Sequence, residues 1–168
     1  MVDLITDKIL DENGLRRTVA RWRLLGHKIV FTNGCFDLLH YGHLHYLAAA
    51  RALGDKLMVG LNSTNSVRRL KGENRPIQDE RTRRWQLASL LAVDAIIEFS
   101  EDTPLKLIRR VKPDVLVKGG DYSIEQIVGA ELVQQYGGLV QTLPFVAGYS
   151  TSRIEKAIWQ RRPRSEDL

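Results

Sequence analysis

A single cysteine, Cys35, stands in a chain of 168 residues, so no internal disulfide can form and a reducing compartment suits the protein. No apolar run approaches the ~20 residues needed to cross a bilayer. Met1–Leu10 carries Asp3, Asp7 and Lys8 where a secretory signal needs an uninterrupted apolar stretch. A cytoplasmic protein with no membrane contact is therefore expected. Repeats, low-complexity tracts and internal linkers are also missing, which excludes solenoids and disordered scaffolds. What is present, 43% hydrophobic and 27% charged residues, suits one domain with a full core.

The net charge of +5 is unevenly spread. Between Arg68 and Arg84, seven basic residues accompany only three acidic ones, so this segment holds most of the surplus. Basic clusters are the footprint of nucleic-acid binding. Here no helix-turn-helix, zinc-finger or aromatic-basic pattern accompanies the cluster, and no nucleic-acid partner is expected. Arg81, Arg83 and Arg84 are read as the solvated face of a helix.

Apolar strand candidates recur at Lys28–Thr32, Lys56–Leu61, Ala95–Phe99, Asp114–Val117 and Leu139–Leu143. Helical patterns lie between them near 41–53, 79–92, 103–111 and 125–136, with a last one near 151–160. Thr103-Pro104 reads as an N-cap and first-turn proline, and Asp79 as the cap of its helix. Short apolar strands separated by helices predict an α/β fold, a doubly wound parallel five-stranded sheet of Rossmann-like type. Residues 1–27 read as a helical extension, 28–160 as the main α/β domain and 161–168 as a charged tail.

In such a sheet ligands bind beyond the carboxyl ends of the strands. Those ends carry Asn33-Gly34, Asn62-Ser63 and Lys118-Gly119-Gly120-Asp121, and the fifth leads to Gly148-Tyr149-Ser150-Thr151-Ser152. Donors and cations at four of five ends would converge on one crevice. After the first full strand comes Thr32-Asn33-Gly34-Cys35-Phe36-Asp37-Leu38-Leu39-His40-Tyr41-Gly42-His43, a turn leading into an Ala- and Leu-rich helix. Free backbone N–H groups and the positive helix end face an anion there. His40 and His43, three residues apart, share one face of the first turn and can converge on a phosphate.

The run Gly34-x-Phe36-Asp37-x-x-His40-x-Gly42-His43 resembles the signature of the nucleotidyltransferases related to glycerol-3-phosphate and phosphoethanolamine cytidylyltransferases. The likeness extends from about Lys28 to Ile158. Asn62-Ser63, Arg69-Leu70-Lys71-Gly72 with Arg75-Pro76, Lys118-Gly119-Gly120-Asp121-Tyr122 and Ser150-Thr151-Ser152 resemble successive blocks of one subgroup, the D-glycero-β-D-manno-heptose 1-phosphate adenylyltransferases, here in a stand-alone form. The resemblance implies transfer of AMP from ATP to D-glycero-D-manno-heptose 1-phosphate, giving ADP-heptose for bacterial lipopolysaccharide, by a homodimer or higher homo-oligomer. A cytidylyltransferase of glycerol phosphate or a similar polyol phosphate, and a non-catalytic nucleotide-binding module, are the rival readings.

Transfer of a nucleotidyl group brings two anions together, so positioning and positive charge matter more than a covalent nucleophile. The resemblance makes His40 and His43 the transition-state donors. Lys71 is the best cationic partner, expected on a mobile loop that closes over the substrates. Nucleotide contacts are expected from Asn33, Gly34, Cys35, Phe36, Gly42, Asn62, Lys118, Gly120, Asp121, Ser150, Thr151, Ser152 and Arg153. One of the three hydroxyl residues at 150–152 can equally be a simple N-cap. Asp37 can orient a histidine, help place magnesium, or act as a turn residue. A Cys35 thiolate nucleophile is disfavoured, since in-line phosphoryl chemistry needs no thiol. His45 stands where glycerol-phosphate relatives place a lysine. Magnesium, held mainly by phosphate oxygens and water, is the expected metal, with no ligand set of the protein's own.

Overall fold

The structure is a computed structural model, and it describes residues 1–120 and 122–161. Six strands form one sheet: β1 (Ile9–Leu10), β2 (Ile29–Gly34), β3 (Lys56–Asn62), β4 (Ala95–Phe99), β5 (Val115–Gly119) and β6 (Leu139–Leu143). Their order is β1-β4-β3-β2-β5-β6, and every neighbouring pair is parallel. The five strands expected become six because Ile9 and Leu10 pair with Ile96 and Ile97, bringing the N-terminal segment into the sheet. A two-residue strand has too few alternating positions to announce itself in a sequence.

The helices are α1 (Val2–Thr6), α2 (Glu12–Leu24), α3 (Tyr41–Arg51), α4 (Thr64–Lys71), α5 (Glu80–Ala88), α6 (Leu105–Val111), α7 (Ala130–Gln135) and α8 (Thr151–Gln160). Asp79 caps α5 as expected, accepting from the Thr82 amide at 2.9 Å. The N-cap of α6 is Pro104 rather than Thr103, without a side-chain bond, so the expected cap there does not form. A C-terminal cap ends α7: Gly137, at φ 85°, donates to Gln134 O while Gly138 donates to Val133 O.

Alternate residues of each strand enter opposite layers. Ile29 and Phe31 join Leu15, Trp22, Met58, Leu107, Ile108 and Val133 on one face. Val30 joins Leu47, Ala50, Leu57, Val59, Leu87 and Ile96 on the other. Each large apolar side chain so enclosed contributes roughly 1.5–3 kcal/mol. Covering on both faces explains why the strands read as unbroken apolar runs.

Strand order reverses at β2, whose neighbours are β3 and β5. Beyond the pairs Val30–Val115 and Phe31–Leu116, the β2–β5 ladder stops. The buried Tyr46 of α3 bridges the gap, its hydroxyl 2.6 Å from Thr32 Oγ1 and donating to Val117 O at 3.3 Å. A crevice therefore opens at the carboxyl ends of β2 and β5, the switch point at which such sheets bind ligands.

Candidate active site

The chain leaves β2 through a tight turn. Phe36 adopts φ 43°, and a Cβ on Gly34 would stand 3.0 Å from the Phe36 ring. Asp37 follows, then His40 as the N-cap of α3, with the His43 amide donating to His40 O at 2.8 Å. The His40 and His43 rings stack with centroids 3.8 Å apart and planes inclined by 22°. A Cβ on Gly42 would come within 3.0 and 3.1 Å of the His40 ring and 3.3 Å of Tyr149, so only glycine lets both approach.

No hydrogen bond of ordinary geometry reaches Nδ1 of either histidine, although both atoms are buried. Burial lowers the pKa of His40. Burial, then His40 and Lys71, push His43 down to about 4 against a weaker pull from the Leu38 carbonyl. At neutral pH each ring is uncharged and offers a single N–H.

Two lysines face this pair. Lys118, at the end of β5, is half-buried, and its burial depresses the ammonium pKa against the opposing pull of Cys35. Lys71 is exposed, and it is the last residue of α4 rather than part of a loop. The helix escaped the sequence reading because its eight residues hold only two apolar side chains, Val67 and Leu70, too few to announce a helical repeat. The Cys35 thiol lies between the cations, yet burial raises its pKa more than Lys71, Arg83 and Lys118 lower it. A thiol held protonated is a poor nucleophile.

Arg83 overturns its expected place on a solvated helix face: it is fully buried. Its guanidinium donates to Cys35 O at 2.9 Å and Asn62 O at 2.8 Å, closing the carboxyl ends of β2 and β3 from below. Those carbonyls have left the sheet ladder and need a donor, which an apolar residue could not supply. Beside it, Glu98 of β4 and Glu80 of α5 face each other across Arg84. Burial and the neighbouring Glu80 push Glu98 up to about 7. Arg84 spans the two carboxylates, 3.4 Å from Glu80 and 3.8 Å from Glu98.

Asp37, 3% exposed, behaves as a turn residue. Its carboxylate accepts from the Arg75 guanidinium and from the Ile77 and Gln78 amides, each at 2.9 Å. Burial pushes its pKa up, but these bonds outweigh it and hold the group below its ordinary value. The second arm of Arg75 donates to Glu155 of α8. Ser150 caps α8, accepting from the Arg153 amide at 3.2 Å, and so supplies the simple cap foreseen among the three hydroxyl residues.

The β2–α3 turn, the two lysines and the start of α8 line a cavity of about 690 Å³. Asn33, Gly34, Cys35, Phe36, His40, Gly42, His43, Lys71, Lys118, Ser150, Thr151, Ser152 and Arg153 all lie on its wall. Asn62 does not: its amide donates to Ser66 Oγ at 2.9 Å, fastening the start of α4. Gly120 also stays off the wall, at φ 112°, where a Cβ would sit 2.8 Å from Phe145. Asp121 and the tail from 162 lie outside the described residues. Tyr122, Phe145 and Tyr149 join the wall without having been assigned there: Tyr122 lies just past Gly119-Gly120, Tyr149 follows Gly148, and Phe145 stands two residues past the end of β6. Among the described residues, no group of three or more His, Cys, Asp or Glu could hold a metal ion. None of the described helices is long and apolar enough to cross a membrane.

The cavity thus offers uncharged imidazole donors, the cations Lys71, Lys118 and Arg153 and a helix start to a polyanionic ligand, with Asp37 as the one carboxylate on the described wall. The cytidylyltransferase-like family model matches residues 31–157, which span the whole of this wall. The chain belongs to the cytidylyltransferase-like family. Relatives named bifunctional protein HldE are 56% identical over 90% of the chain in Citrifermentans bemidjiense and 53% identical over 92% in Trichlorobacter lovleyi. The chain spans about 31% of the length of each. The lipopolysaccharide core biosynthesis protein of Thermoplasma volcanium is 34% identical, with a TM-score of 0.58 over 72% of this chain and 98% of that one. A pantoate-beta-alanine ligase of Francisella tularensis, 17% identical, shares the fold at a TM-score of 0.58 over 95% of this chain and 82% of its own.

Proposed function

We propose that the protein transfers AMP from ATP to D-glycero-D-manno-heptose 1-phosphate, releasing pyrophosphate and ADP-heptose for lipopolysaccharide synthesis in the cytoplasm. The stacked His40–His43 pair at the start of α3, between Lys71 and Lys118, is the observation that carries this reading. The 34% identity to the lipopolysaccharide core biosynthesis protein of Thermoplasma volcanium supports the link to lipopolysaccharide.

The sugar phosphate oxygen attacks the α-phosphorus, a new P–O bond forms, and the bond to the pyrophosphate oxygen breaks. His40 and His43 each donate an N–H to the phosphate oxygens that gain charge in this step. Such a fixed donor is worth more in the transition state than in the ground state. Lys71 and Lys118 balance the departing pyrophosphate, and the backbone N–H groups at the start of α8 hold its oxygens. Magnesium, when bound, would neutralise further charge on the phosphates. The one carboxylate on the described cavity wall, Asp37, is taken up by Arg75 and two amides, so phosphate oxygens and water would hold the ion.

Pyrophosphate release measured with ATP and CTP, each paired with heptose 1-phosphate and glycerol 3-phosphate, tests the assignment. Product from ATP and heptose 1-phosphate alone is expected. Product only from CTP and glycerol 3-phosphate would make the protein a polyol-phosphate cytidylyltransferase, and none from any pair would leave a nucleotide-binding module. Direct attack further requires that ATP and labelled pyrophosphate exchange no label without sugar phosphate.

A further inference from the structure

We propose that Arg75 is a positioning residue that clamps the three phosphate-facing walls of the cavity into one unit. The inference rests on the nucleotidyltransferase reading, in that its ligand is the nucleotide triphosphate. The walls come from separate parts of the chain: the β2–α3 turn with His40 and His43, the end of α4 with Lys71, and the start of α8 with Ser150–Arg153. The segment after Lys71 runs along the first wall, where Asp37 accepts from the Arg75 side chain and from the Ile77 and Gln78 amides. The other arm of the same guanidinium reaches Glu155, two residues beyond Arg153 in α8. One planar cation therefore touches a carboxylate on each side of the cavity. Lysine, a single point charge, could not hold both in this way.

Burial gives the clamp its leverage. Asp37 is 3% exposed and the Arg75 side chain 18%, so solvent screens their attraction weakly. α8 buries none of its residues, and a helix with little packing depends on polar ties for its position. Without Arg75, Asp37 would also stand as an uncompensated anion on the wall that receives phosphates. A loosened clamp should therefore weaken the nucleotide's fit before it weakens the fold.

The test measures ATP affinity by calorimetry, in the presence of magnesium, for the parent, Glu155→Gln, Arg75→Lys, Arg75→Ala and the double variant Arg75→Ala/Glu155→Gln. Amide exchange is followed at Ile77, Gln78 and Thr151–Arg153. Arg81→Gln, on the exposed face of α5, serves as the control. Glu155→Gln should weaken ATP about tenfold in the parent but change it less than about twofold once Arg75 is alanine, because coupled contacts are not additive. Arg75→Lys should fall between the parent and Arg75→Ala, and exchange should rise on both sides of the cavity together. Equal losses in the two backgrounds, or unchanged ATP affinity in Glu155→Gln, would overturn the clamp. Glu155→Gln retains the Asp37 contacts, so the result does not depend on Arg75→Ala folding. ATP binding is read without the sugar phosphate, so a wrong sugar assignment leaves this test intact, while a parent that binds no ATP would sink both readings.

Discussion

Replacing Arg83 with methionine, which fills a similar volume without charge, isolates what a buried guanidinium does beneath the cavity. The change leaves Cys35 O and Asn62 O without their donor. A hydrogen bond from a charged group contributes roughly 1.5–3 kcal/mol, so two are worth about 3–6 kcal/mol. Removing the charge also relieves the penalty of keeping it out of water, which offsets part of that loss. The expected net destabilisation is about 2–4 kcal/mol. With a urea slope of ~2 kcal/mol/M, the unfolding midpoint should fall by about 1–2 M at unchanged slope. Arg83→Lys, able to reach one carbonyl, should lie between the two. A midpoint within about 0.2 M of the parent's would refute the view that Arg83 closes the strand ends.

His43→Ala should lower kcat by ~10²–10³-fold while ATP affinity changes far less, since one such donor is worth about 2.7–4 kcal/mol. Pyrophosphate release and calorimetry together check it, and an unchanged kcat would remove the pair from the mechanism. Gly42→Ala should keep or slightly raise Tm, because alanine favours helix, yet cut kcat at least ~10-fold as the new Cβ displaces the His40 ring. Full activity would show that the close approach is not needed. Glu98 holds its proton up to about 7 when folded, whereas its ordinary value is 4.5. Between those limits the folded state binds more protons, so stability falls as pH rises through that window. Glu98→Gln should flatten the fall and raise Tm at pH 8 relative to the parent. Parallel Tm profiles between pH 5 and pH 8 would contradict a raised Glu98 pKa in the folded state.

What the sequence made legible was whatever expresses itself as period or spacing. Ala95–Phe99 and Leu139–Leu143 match their strands end to end because each is a compact block of β-forming residues. The histidine pair was legible because the whole run from Gly34 to His43 resembles a family signature; a spacing of three by itself fits any helix start, and His40 stands as the N-cap of α3 rather than on its first turn. The six-strand count, α4 and Arg83 were not. β1 is too short, α4 too polar, and a buried arginine carries no mark distinguishing it from a solvated one. Its burial depends on two unpaired carbonyls whose positions only the folded chain defines. The same holds for Arg75 and Asp37, which meet across 38 residues of chain. Asn62 misled for the opposite reason, since a strand-end asparagine fastening the next helix looks identical to one facing a ligand.

The two lysines that flank the cavity differ in their access to water, and that difference separates capture from retention. Lys71 stands exposed at the mouth, where dissolved ions crowd around it and shorten the reach of its field. Lys118 sits half-buried at the strand end, where counterions have little access. Raising ionic strength should therefore slow the arrival of an anionic ligand much more than it hastens departure. On the proposed function, the outer charge would set how often a triphosphate is drawn in, and the inner one how long it stays.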